Sequence, residues 1–168
     1  PTRIPAAPGA VRTYSLATVM DTGSPELCLG PVAESYPPQC DGPPIDGWRW
    51  ADHQDTYDSA NGVRWGMYSV GGTWDGTTFG YTDAIPAALY DPPLQEPAVH
   101  PKPAEEYTDD ELADIAEEVG ELPGALSFYG ADGRVLADVI YDDGSLQAWA
   151  DETYGDGVVV LTSMLVDG

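Results

Sequence analysis

The stretch Val63–Asp83, VRWGMYSVGGTWDGTTFGYTD, decides the reading of the first half of the chain. It is rich in β-branched and aromatic residues, and Asp75-Gly76 interrupts it between Trp74 and Thr77. An Asp-Gly pair between two such runs is a hairpin signal, because both residues tolerate the backbone angles that a tight turn demands. Gly66, Gly71 and Gly72 break the longer arm, as glycines do where a strand bends around a small closed barrel.

Working outward, Val11–Asp21, Glu26–Gly30 and Ile45–Trp50 carry the same strand composition, punctuated by Gly, Pro and Asp. Five strands with such bends predict a small β-barrel of OB-like type over residues 11–83. Residues 1–10, rich in Pro, Ala and Gly, read as a flexible segment. Between 84 and 104, Pro86, Pro92, Pro93, Pro97, Pro101 and Pro103 occur without apolar periodicity, which predicts an extended connector.

Beyond the connector the period changes. Thr108 with Glu111 makes a capping box. Leu112, Ile115, Ala116 and Val119 form one apolar stripe, and Gly120 ends the helix. Leu126 and Phe128 begin a strand, and Asp132-Gly133 turns the chain. Val135, Ala137, Val139 and Tyr141 then alternate with Leu136, Asp138 and Ile140. Asp142-Asp143-Gly144 leads into a short helix capped by Ser145, with Leu146, Trp149 and Ala150 facing inward. Val158–Val166 reads as one buried strand. The expected fold class is therefore α+β: an amino-terminal barrel followed by a sandwich of order α-β-β-α-β over residues 105–168.

The 168 residues include 29 acids against six Lys and Arg, a net charge of -23. Residues 1–100 contribute -8 and residues 101–168 contribute -15, so the shorter half is the more acidic. Such a chain repels phosphate backbones and anionic lipid, which argues against nucleic acid as a partner. Self-repulsion favours a monomer. With 42% hydrophobic residues there is enough apolar surface for a core, and no run of apolar residues is long enough to span a bilayer.

Cys28 and Cys40 are the two cysteines, both within a proline-rich stretch. A disulfide closing a loop of about 13 residues, worth roughly 3 kcal/mol, is the most economical use; a free buried pair is the alternative. Thiolate or metal chemistry lacks an electropositive neighbour or CxxC spacing. The start at Pro1 reads as a trimmed or mature chain whose signal segment is gone.

Glu26-Leu27-Cys28-Leu29-Gly30, with Pro37-Pro38-Gln39-Cys40 and Gly47-Trp48, resembles the amino-terminal part of exported or lipoprotein-type actinobacterial proteins of unknown function. Tyr141 to Trp149, with Val158-Val159-Val160, resembles the carboxy-terminal module of similar chains. The resemblance covers about a quarter of the sequence. It implies an extracytoplasmic location, secreted or anchored through a segment before Pro1, and brings no catalytic residue.

His53 and His100 are the histidines, neither lies near a GxSxG turn, and both are expected at the surface. No GxGxxG or phosphate loop is present. Asp55, Asp58 and Asn61 before Gly62, and Asp142 and Asp143 before Gly144, offer oxygens for calcium as a cofactor. They do not follow the alternating EF-hand spacing, and such residues before Gly also simply make turns. The aromatics Trp48, Trp50, Trp65, Trp74 and Tyr81 have two readings: core of the barrel, or a surface that stacks a glycan or grips an envelope protein. The function expected is a non-enzymatic binding module at the cell envelope. The alternatives are a carboxylate-dependent hydrolase and a purely structural two-domain protein.

Overall fold

The long arm of the hairpin is the hub around which the first half of the chain is organised. In the computed structural model, which describes residues 1–33, 35–40, 42–92 and 100–168, the strands of this half are β1 (Val11–Thr13), β2 (Ala17–Asp21), β3 (Pro25–Cys28), β4 (Ile45–Asp46), β5 (Asp58–Ala60), β6 (Val63–Trp74) and β7 (Phe79–Pro86). β6 pairs antiparallel with β1 and β2 along one edge and with β5 and β7 along the other. Asp75 joins β6 to β7: its Oδ1 accepts from the Thr77 and Thr78 N–H groups at 2.8 and 2.7 Å, and Gly76 takes φ 100°.

The expected barrel is not what forms. β4 lies parallel to β7, and among the described residues β3 reaches this side through the isolated bridge Glu26↔Pro44 and one bond from Leu27 N–H to the Pro43 carbonyl at 2.9 Å. Pro43 and Pro44 have no N–H to donate, so no ladder continues and the sheet stays open there. The glycines also act differently from the expectation. The β6–β7 register shifts at Gly71 and Gly72, and a Cβ on Gly72 would overlap the Gly80 carbonyl oxygen. They accommodate a bulge and a close backbone approach.

Two expected strands also resolve differently. Val11–Asp21 is split into β1 and β2, and Ile45–Trp50 is cut short after Asp46 by Gly47 at φ 85°. Trp50–His53 then forms a 3₁₀ turn.

The second half follows the order α1 (Asp109–Val119), β8 (Ala125–Ala131), β9 (Arg134–Val139), α2 (Ser145–Tyr154), β10 (Val159–Ser163), so the chain as a whole is α+β. β9 pairs antiparallel with β8 and parallel with β10, the crossover running through α2. Thr108 Oγ1 accepts from the Glu111 N–H at 3.2 Å, and Glu111 Oε1 accepts from the Thr108 N–H at 3.0 Å. The core joins Leu112, Ile115 and Val119 of α1 to Val135, Ala137 and Val139 of β9 and to Leu146 and Ala150 of α2.

The end of the chain departs from the expectation of a single strand over Val158–Val166. β10 stops at Ser163, and β11 (Leu165–Asp167) adds antiparallel to β1, with Val11↔Asp167 and Thr13↔Leu165. Two units result: Ala6–Pro92 with Leu165–Gly168, and Pro1–Pro5 with Pro93–Met164. These differ from the expected ranges 11–83 and 105–168 at both chain ends. Residues 1–10, expected as flexible, include Ala7, whose N–H donates to the Trp74 carbonyl at 2.9 Å, and Ala10, whose carbonyl accepts from Gly168 N–H at 2.9 Å. In the expected connector 84–104, Ala84 to Pro86 extend β7 and Ala87–Leu89 form a 3₁₀ turn; residues 93–99 lie outside the described residues.

Candidate functional site

In an antiparallel ladder, residues directly opposite share a face. On one face of β2, β3 and β6 this places Ala17, Val19, Leu27 and Tyr68, all buried. On the other it places Thr18, Met20, Cys28, Trp65 and Met67. Cys28 is disulfide-bonded to Cys40, with Cα atoms 6.1 Å apart. The bridge folds the intervening loop back on this second face, where Met20, Cys28 and Trp65 make a small core with Val32, Cys40, Ala60 and Val63 around it. Tyr36 sets its ring edge-on to Trp65, with centroids 5.3 Å apart.

The loop covers only part of the face. Beside it lies a cleft of about 810 Å³, with Thr18 and Met67 among its lining residues. Val32, Ala33 and Pro38 of the disulfide loop line it from the β2–β3 side of β6. Asp55 to Asp58 and Pro86 to Ala88 line it from the β5–β7 side. Met67 is 48% exposed, a large apolar side chain open to water. Asp55 and Asp58 are exposed as well. The volume falls in the range of pockets that bury small ligands, about 300–1,000 Å³.

The wall formed by residues 55–58 is held from beneath. Thr56 Oγ1 donates to the His53 carbonyl at 2.5 Å and sits 2.9 Å from the Tyr68 hydroxyl. Asp55 takes φ 65°, a left-handed conformation that Asp tolerates better than most residues.

Of the aromatics read as either core or binding surface, the four tryptophans are core. Trp48, Trp50, Trp65 and Trp74 are 6%, 6%, 8% and 2% exposed, which leaves no ring face for a sugar. Tyr81 is half-buried, edge-on to Trp48 at 5.2 Å, and of the five only Trp65 lines the cleft. His53, expected at the surface, is buried too. In the 3₁₀ turn Trp50–His53 side chains three apart fall on one side, so Trp50 and His53 enter the interior together while Ala51 and Asp52 stay exposed. Burial holds the His53 pKa below its ordinary 6.5, with nearby Asp52 opposing. Trp50 Nε1–H donates to Asp21 at 2.8 Å.

Of the acidic residues considered for calcium, Asp142 and Asp143 are engaged at the start of α2, while Asp55 and Asp58 are exposed beside the cleft. Asp142 accepts from the N–H groups of Gly144, Leu146 and Gln147 at 2.9, 2.9 and 3.2 Å, so Asp142 caps α2, where Ser145 was expected to. Asp143 accepts from the N–H and the hydroxyl of Ser145, which lowers its pKa. Asn61 and Gly62, at φ 53° and 79°, make the two-residue turn between β5 and β6. Among the described residues no group of three or more His, Cys, Asp or Glu is placed to hold a metal ion. The Asn-Gly pair was a hairpin signal that would have located β5, and nothing in the local pattern marked Met67 or Pro86 to Ala88 as one site.

Comparison with protein-family models, curated proteins and solved structures returns no match to this chain.

Proposed function

We propose that the protein is a non-enzymatic binding module working outside the cytoplasm, at the cell envelope, and that the cleft over Thr18 and Met67 is where it binds. The observation that carries this is the exposed Met67 within an apolar cleft bordered by a covalently pinned loop. Methionine packs adaptably against ligands of varied shape, and a rigid wall lowers the entropy lost on binding. The acids lining the cleft, Asp55 and Asp58, come from one short stretch of chain, three residues apart at the start of β5, whereas glycoside hydrolysis needs two carboxylates flanking the bond to be broken. The Cys28–Cys40 disulfide supports an oxidising compartment, and among the described residues no helix is long and apolar enough to cross a membrane. The resemblance to exported actinobacterial proteins points the same way.

The test is a fluorescence titration with the neutral apolar dye Nile red. Wild-type protein should bind it saturably, and Met67→Lys, which places a charge in the cleft at an exposed position, should abolish the signal with the fold intact by circular dichroism. No saturable binding to wild type would sink the reading.

A further inference from the structure

We infer that the occupant of this cleft is a cationic peptide segment, seating an apolar side chain over the exposed Met67 and a neighbouring lysine or arginine against Asp55 and Asp58. The inference rests on the cleft being the binding site and adds the chemistry of its partner. Leu16, Val32, Pro38, Trp65, Met67 and Ala88 give the lining its apolar character. The charged side chains that line it are Asp55 and Asp58; no lysine, arginine or histidine does so among the described residues. An apolar surface with a single sign of charge at its border selects an amphipathic ligand of the opposite sign.

Other ligand classes fit less well. A glycan needs an open aromatic platform and several free hydrogen-bonding groups, but Trp65 is 8% exposed and the Thr56 hydroxyl is already engaged by His53 and Tyr68. Anionic lipids and nucleic acids meet a chain of net charge -23. A cationic segment is instead drawn in by that charge before the cleft sorts it by shape, and both its attraction and its rim contacts weaken with salt.

The experiment uses the full oxidised chain and a blocked octapeptide alternating leucine and lysine. Two companion peptides replace lysine with serine or with glutamate, and binding is followed by calorimetry and by amide chemical shifts. The leucine-lysine peptide should bind, shifting Thr18, Met67 and Ala87, while the glutamate peptide should not. Asp55→Asn with Asp58→Asn should weaken binding by about tenfold. Asp109→Asn with Asp110→Asn, which removes the same charge from the first turn of α1, should change it far less. Equal weakening by the two double variants would reduce the effect to net charge and overturn the inference. Nile red bound at the cleft without peptide binding would overturn the cationic partner alone, whereas failure of both probes would overturn the binding-module reading as well.

Discussion

The imidazole of His53 lies flat on the indole of Trp48, with ring centroids 3.8 Å apart and planes 10° from parallel. Tyr68 and Tyr81 stand around the pair, at 5.5 and 5.6 Å from the imidazole. The 3₁₀ turn that buries His53 also presents its carbonyl to Thr56, so one stacked pair anchors both the aromatic interior and the loop that forms a wall of the cleft.

A neutral, buried imidazole makes stability depend on pH. The native pKa of His53 lies below 6.5, so the unfolded chain takes up the proton first as the medium acidifies. Its contribution is complete above pH 6.5 and is lost as pH falls below 6.5 toward the native pKa. Melting temperatures measured between pH 7.5 and 5 should fall more steeply for wild type than for His53→Phe; parallel curves would show that the ring carries no such linkage.

At the bulge, Gly72→Ala should destabilise the protein by about 2–3 kcal/mol, since the added methyl must displace the Gly80 backbone. Gly9, where an added methyl would have nothing within 4 Å, is the control. Gly9→Ala should stay within about 0.5 kcal/mol in urea unfolding.

Replacing Cys28 and Cys40 together by alanine should cost about 2–4 kcal/mol, through release of the loop constraint. Limited proteolysis should then cut between residues 29 and 39, where the oxidised protein resists. Nile red affinity should drop in the same variant because Val32, Ala33 and Pro38 lose their anchor.

Leu165 is fully buried, and its strand completes the sheet beside β1. Leu165→Ala should therefore destabilise the protein by about 2–4 kcal/mol, as a buried leucine does elsewhere. The exposed Val166→Ala, one residue on, should be nearly silent in the same denaturant titration.

What the sequence determined by itself is what neighbours within a few residues cause. Thr108 and Glu111 close a capping box across three residues, Asp75-Gly76 turns one strand into the next, and Val135, Ala137 and Val139 alternate onto one face; each reads directly because its partners are adjacent in the chain. Composition likewise revealed the pairing of Cys28 with Cys40. Tertiary structure alone decided the rest. Val158–Val166 is mostly apolar, and only the availability of Arg12 and its neighbours, more than 150 positions earlier, splits off Leu165–Asp167 as a strand of another sheet. The proline pair 43–44 leaves open a sheet whose strand count had suggested a barrel, and a 3₁₀ turn buries His53 where its chemistry suggested the surface. The cleft belongs to this second class: Thr18, Met67, Val32, Asp55 and Ala87 meet because four separate strand pairings and a disulfide bring distant segments to one sheet face, a relation that no local periodicity encodes.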